Sequence, residues 1–176
     1  MSKSSNMHGW LLGSLSAAGL LAGLVLTSVS VADSDGLSAT ARAELAAVRA
    51  ATAAYHDIDT AYAAGYIDIH VVVPGMGCHL LNPGFLDGSF SLTEPEALVY
   101  ADCTPGIGGR AGLRAVEYLT VCGGPPSCTL PAPEGFDGPH DVWTPLPDGS
   151  LWTLHAWIWR HNKDRIFAPV NPDFFD

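Results

Sequence analysis

Basic side chains are scarce in this chain. Lys and Arg number 8 against 18 Asp and Glu, and the formal net charge at pH 7 is −10. A protein that binds nucleic acid needs basic surface to contact the phosphates, so we expect no nucleic-acid partner. The same balance disfavours docking on anionic membrane surfaces and favours solubility.

The common catalytic signatures are also missing. The sequence contains no G-x-S-x-G nucleophile elbow, no H-E-x-x-H zinc motif and no phosphate-binding glycine loop. It has no C-x-x-C pair of the kind that structural zinc sites use, and no C-x-x-C-H haem attachment motif. No motif therefore assigns a reaction.

Residues 1–32 are expected to be an export signal and not a part of the folded domain. A weakly basic start precedes an apolar run from Trp10 to Val31, and Ser30-Val31-Ala32 is typical of a signal peptidase site before Asp33. An uncleaved anchor is the alternative, because the apolar run is about long enough to span a bilayer. We expect cleavage, no stable membrane association afterwards, and one secreted, extracytoplasmic domain over residues 33–176.

No cysteine precedes position 78, and the four that follow are Cys78, Cys103, Cys122 and Cys128. Outside the cytosol, an even number predicts two disulfides, for which three pairings exist. Cys122 and Cys128 enclose the turn-rich segment GGPPS, which can bring its ends together. That pairing leaves Cys78 to pair with Cys103.

The remaining pattern predicts an α+β fold. Residues 38–64 are rich in alanine and contain no proline or glycine, which favours a helix that ends at Gly65. Its apolar stripe consists of Leu45, Val48, Tyr55 and Tyr62, with Ile58 beside it. Strands are expected at 66–73, 98–101, 113–121 and 152–159, and long Pro/Gly-rich loops between Cys122 and Ser150. Strands without intervening helices predict a helix packed on an antiparallel sheet or partial barrel.

A histidine in the last of these strands needs an explanation. From Trp152 to Trp159 two sets of side chains alternate, and His155 shares its set with Thr153, Trp157 and Trp159. Both sets are largely apolar, which favours a central strand covered on both sides. His155 is then either a core histidine hydrogen-bonded to backbone, or a metal ligand or general acid–base.

Glu117 presents a similar question, because its neighbours on one strand face are Ala115, Leu119 and Val121. A buried carboxylate must be paired, protonated or bound to a cation. One interpretation is a salt bridge to Arg110, Arg114 or Arg160. The other is that Glu117 meets His79 and His155, since two histidines and one carboxylate are a familiar ligand set for a divalent metal ion.

His140 lies in the loop GPHDVW, which could close over the strand face that carries Glu117.

Several short motifs occur along the chain: YHD at 55–57, GY at 65–66, MGCHLLNP at 76–83, AVEY at 115–118, and LHAWIWRHN with FAPVNP at the end. Together they resemble an uncharacterised family of secreted bacterial and fungal proteins. The resemblance covers nearly the whole chain after the leader. It implies a shared extracytoplasmic domain in which His79, Glu117 and His155 are the marked positions, and it implies no activity.

Two classes of function follow from the sequence. In the first, the protein is a secreted domain that binds a divalent metal ion through His79, Glu117 and His155 and accepts a small-molecule ligand. Tyr118 and the tryptophans would then form the apolar wall of the site. In the second, it is a non-enzymatic extracellular binding or structural protein without a metal, and its polar strand residues are hydrogen-bonded within the core.

Overall fold

The computed structural model describes residues 35–174 of the chain. The predicted signal peptide and its cleavage site lie outside this range. Within it, no helix is both long enough and apolar enough to cross a membrane.

The helical segment is interrupted, whereas a single helix over 38–64 was expected. Helix α1 spans Ala39–Thr52, and the Ser38 side chain caps it by accepting a hydrogen bond from the Ala41 amide. A 3₁₀ turn at Ala53–His56 follows, and then α2 at Ile58–Ala63. The break falls at Asp57, whose backbone is extended and whose side chain caps α2 by accepting from the Asp59 amide. A capping carboxylate therefore starts a new helix where composition alone favoured continuation.

The predicted apolar stripe is the face that packs on the sheet. Leu45, Val48 and Ile58 are buried in the main core, and Tyr55 and Tyr62 are half-buried at its edge. The backbone carbonyl of Tyr55 accepts a hydrogen bond from the hydroxyl of the buried Tyr100, and the Tyr62 hydroxyl donates to the carbonyl of Cys103.

Six antiparallel strands form one open sheet, which confirms the α+β prediction. They are β1 (Ile67–Val73), β2 (Gly77–Leu81), β3 (Ala97–Tyr100), β4 (Leu113–Val121), β5 (Thr144–Pro145) and β6 (Leu151–Ala156). Their order across the sheet is β1-β2-β3-β4-β6-β5, with β1 and β5 at the edges.

The last long strand ends three residues earlier than predicted. After Ala156 the amide of Trp157 donates to the carbonyl of Ile166, a residue outside the sheet. The Trp159 amide donates to the carbonyl of Arg114. The regular ladder is thus interrupted at Trp157, and the chain contacts β4 again through the Trp159 amide, although the alternation of side chains in the sequence continues.

Alternation along the strands gives the sheet two buried faces. The helix face carries Leu80, Leu98, Val116, Tyr118 and Leu154, which pack with the helices in the main core. The second face has a smaller apolar cluster of Val99, Ala115 and Trp157, with Met76 and Phe174 packed against it. His79, Glu117 and His155 belong to this second face.

Both predicted disulfides are present, Cys78–Cys103 and Cys122–Cys128. The first joins β2 to the segment after β3, and the second closes the short loop after β4. No free cysteine is found in the described chain. Two disulfides fit a protein of an oxidising, extracytoplasmic compartment.

Candidate metal centre

Three titratable side chains converge on the second face of the sheet. Glu117 on β4 is the direct cross-strand partner of His155 on β6, and on its other side it pairs with Ala97 on β3. His79 on β2 pairs with Val99, so it lies across β3 from Glu117 and one row away. Because Ala97 carries only a methyl group, the space above β3 is open to the imidazole and the carboxylate.

The donor atoms of the three residues lie close to one another. Glu117 Oε1 lies 3.5 Å from Nε2 of His155, and Glu117 Oε2 lies 3.7 Å from Nε2 of His79. One donor atom from each of the three residues lies within 4.8 Å of the others. Ligand atoms about 2.0–2.2 Å from a tetrahedral ion are themselves about 3.3–3.6 Å apart. Small side-chain movements would therefore bring all three donors onto one ion.

His79 is oriented by a backbone carbonyl. Its Nδ1 lies 3.3 Å from the carbonyl oxygen of Val71. With Nδ1–H donating there, the lone pair of Nε2 faces Glu117, which is the arrangement that metal-binding histidines commonly adopt.

The Val71 carbonyl is available because β1 bulges next to β2. Asp68 pairs with Leu80 and Val72 with Cys78, so three residues of β1 face one of β2. Within the bulge His70 has φ of +57°, and its amide donates to the Asp68 side chain. A bulge of this kind removes carbonyls from the ladder and redirects them.

His155 has a buried nitrogen that needs a partner. The residue is 3% exposed, and its Nε2 has no hydrogen-bond partner among the residues that the structure describes. Leaving a buried polar atom unsatisfied costs about 1–3 kcal/mol. A bound cation would satisfy it.

Burial dominates the electrostatics of the three groups. It raises the pKa of Glu117 to about 8, with a smaller contribution from the charge of Glu96. It lowers the pKa of His155 to about 3, assisted by the charge of His79. The pKa of His79 is also lowered by burial, against the opposing effect of its backbone hydrogen bonds. Without a cation, the three groups are therefore neutral near pH 7.

The arginine alternative for Glu117 is wrong. In the described part of the chain, the titratable groups nearest to its carboxyl oxygens are the two histidines, and no arginine lies within ion-pair distance. Arg114 instead stacks over the Phe174 ring, with Cζ 3.8 Å from the ring centroid, and donates from Nη1 to the carbonyl of Met76.

Two further expectations for the site fail, and the third, an apolar wall of tryptophans, is met by Trp157 but not by Trp159, which packs against the main core. His140 lies beside Gly36, just before α1, and it is not a member of the converging group. Tyr118 faces the helix core, where its hydroxyl donates to the Leu92 carbonyl, because adjacent strand residues point to opposite faces. Trp157 does border the site: its ring stacks on that of His155, with centroids 6.1 Å apart and planes at 17°.

Comparison of the chain with protein-family models, with curated proteins and with solved structures gave no match. The resemblance to a family of secreted proteins therefore stays a prediction.

Proposed function

We propose that this protein is an extracytoplasmic domain that binds one divalent transition-metal ion through His79, Glu117 and His155. The observation that carries the proposal is the unpartnered, buried Nε2 of His155, which faces a carboxylate that also faces the Nε2 of His79. The two disulfides support the proposed extracytoplasmic location, because disulfides persist in oxidising compartments.

The donor set suggests which ions would bind. Two imidazoles and one carboxylate suit Zn²⁺, and the same set forms the facial triad of non-haem Fe²⁺ proteins. Three protein donors leave at least one coordination position for water or a small molecule. The proposal is metal binding, and it includes no reaction.

The second candidate is a binding or structural protein without a metal. The raised pKa of Glu117 favours it, because a protonated carboxyl group can donate a hydrogen bond to a neutral imidazole. A small rotation would bring the Glu117 carboxyl and His155 Nε2, now 3.5 Å apart, to hydrogen-bond distance.

Metal stoichiometry separates the two candidates. The exported protein would be stripped with a chelator, offered Zn²⁺, Fe²⁺, Co²⁺, Ni²⁺, Cu²⁺ or Mn²⁺ in turn, freed of excess by gel filtration, and analysed for metal and for folded mass. One tightly held ion per folded molecule is expected for at least one metal. His79→Ala, His155→Ala and Glu117→Gln should each lose it, the last with its shape preserved.

His161→Ala is the matched control, because His161 is exposed and outside the group. It should keep the ion. Full occupancy in both His79→Ala and His155→Ala would refute the site, and so would a wild-type protein that retains none of the six metals.

A further inference from the structure

Three of the few basic side chains of this acidic protein line one cleft. Arg42, Arg49 and Arg160 line a cavity of about 470 Å³ between α1 and the segment that follows β6. They are three of eight Lys and Arg in a chain with 18 Asp and Glu. Among the acidic residues that the structure describes, Asp35 alone lines the cleft. The charged side chains that line this cleft are therefore mainly cationic, whereas the protein as a whole is acidic.

Arg49 is held in position for an anion. It lies half-buried in the last turn of α1, and its Nε donates to the carbonyl of Ile158 at 3.1 Å. Within the described chain, no hydrogen bond or ion pair engages its two Nη groups. A guanidinium anchored at one edge presents the rest of its planar fork for bidentate contact with a carboxylate or phosphate group.

Arg160 adds a second cation without a counter-ion. It is exposed, and no carboxylate in the described residues forms a salt bridge with it. Burial lowers the pKa of Arg114, which lies outside the cleft, and the charge of Arg160 adds to that effect. An anion in the cleft would supply the counter-ion that Arg160 lacks.

Part of the cleft wall is apolar, beside the polar side chains of His161 and Asn162. Leu45, Trp159 and Ile166 line it. The indole of Trp159 donates to the Thr52 hydroxyl at 3.3 Å, and its ring meets the imidazole of His56 edge-on with centroids 4.3 Å apart. An aromatic ring held in this way offers a surface for an apolar or aromatic group.

We propose that this cleft binds a small organic oxyanion, a carboxylate or phosphate monoester joined to an apolar or aromatic body. The volume lies within the range of about 300–1,000 Å³ that is usual for small-molecule sites. Arg49 and Arg160 bind the oxyanion, and Trp159 packs on the body. The proposal is independent of metal binding, although Trp157 lines the cleft and also stacks on His155.

Calorimetric titration with four probes tests the proposal: benzoate, its neutral analogue benzamide, phenyl phosphate and inorganic phosphate. Saturable binding of benzoate or phenyl phosphate is expected. Benzamide and inorganic phosphate should each bind at least about tenfold more weakly than the related probe, because each lacks one of the two recognised groups.

Arg49→Gln and Arg160→Gln should each weaken benzoate or phenyl phosphate binding by about tenfold or more. Arg110→Gln is the matched control, because Arg110 is exposed and likewise donates from Nε to a backbone carbonyl, that of Ile107, but lies outside the cleft. Its affinity should equal that of the wild type. Since Arg160 is exposed, its variant will fold, and melting curves check the fold of Arg49→Gln.

Every titration is repeated after chelation, and the affinities should not change. The proposal is overturned by the absence of saturable binding, by full affinity in both Arg49→Gln and Arg160→Gln, or by benzamide binding as tightly as benzoate. Binding that is lost on chelation but kept in Arg49→Gln would place the ligand on the metal ion and overturn the proposal as well.

Discussion

A buried glutamate outside the candidate metal centre should make the stability of this protein depend on pH. Glu96 precedes β3, is 1% exposed, and accepts a hydrogen bond from the Leu119 amide through Oε2 at 3.0 Å. Its Oε1 has no partner in the described chain. The Glu96 side chain thus provides a hydrogen-bond acceptor for β4 just before β3 begins, and this buries a carboxyl group.

The direction of the effect follows from the raised pKa. Burial, partly opposed by hydrogen bonds, raises the pKa of Glu96 from 4.5 to about 7. Between these two values the native state holds a proton that the unfolded state has lost. The stability that this group contributes is therefore complete below pH 4.5 and is lost as the pH rises through 7. Since each pKa unit corresponds to about 1.4 kcal/mol, the loss is up to about 3 kcal/mol.

Glu96→Gln is the perturbation that isolates this effect. Glutamine has the shape of the protonated carboxyl group and keeps the oxygen that accepts from Leu119. Urea unfolding in chelator at pH 5 and pH 8.5 should show similar stabilities at pH 5 and a variant about 2–3 kcal/mol more stable than wild type at pH 8.5. Part of that difference passes through Glu117, whose pKa the Glu96 charge also raises.

Glu94→Gln is the control, because Glu94 is exposed, two residues away, and bonded only to the Ser91 hydroxyl. It should follow the wild-type profile at both pH values. Parallel profiles for wild type and Glu96→Gln would refute the reasoning and show that the native state accommodates an ionised Glu96.

Three further outcomes are expected. Val48→Asp should lower the free energy of unfolding, measured in urea, by more than the roughly 1.5–3 kcal/mol that burial of Val48 contributes. Ala46 is exposed, and Ala46→Asp should lower it by less than about 1 kcal/mol. Equal losses would mean that the stripe is not the packed face. Replacing Cys78 and Cys103 by serine should cost about 3–4 kcal/mol and opening the shorter disulfide loop about 2; the reverse order would contradict the loop-entropy argument. Ala97→Val should lower metal affinity in the folded fraction by separating the ligands, and unchanged affinity would remove its assigned role.

Features that depend on residues close together in the sequence could be predicted from it. The bounds of β4 agree with the predicted Leu113–Val121, because branched and aromatic residues make up most of the segment between Gly112 and Cys122. The disulfide pairing followed from the short turn between Cys122 and Cys128. In both cases neighbouring residues determine the outcome.

Features that depend on distant partners were not predictable. β2 was not expected as a strand, because it is only five residues long and begins at a glycine with φ of +132°. Its ladder to β3 defines it. Likewise the early end of β6 depends on a hydrogen bond from Trp157 to Ile166, in a segment with no periodic pattern.

The three residues of the candidate site could be named from the sequence, but the groups that position them could not. His79, Glu117 and His155 were named from residue chemistry, and the structure brings their donor atoms together. The roles of Ala97 and the Val71 carbonyl depend on register and on the bulge in β1, which no local pattern indicates. The error about Tyr118 has a simpler source. Adjacent residues of a strand point to opposite faces of the sheet, so Tyr118 cannot share a face with Glu117, and the sequence already contained that information.

The most direct test of the proposed metal centre is anomalous diffraction from crystals of the protein loaded with Zn²⁺. A single strong peak is expected on the second face of the sheet, about 2.0–2.2 Å from Nε2 of His79, Nε2 of His155 and a carboxylate oxygen of Glu117. A peak elsewhere would contradict the assignment of these three ligands. No peak, with the Glu117 carboxyl hydrogen-bonded to His155, would contradict metal binding and support the candidate without a metal.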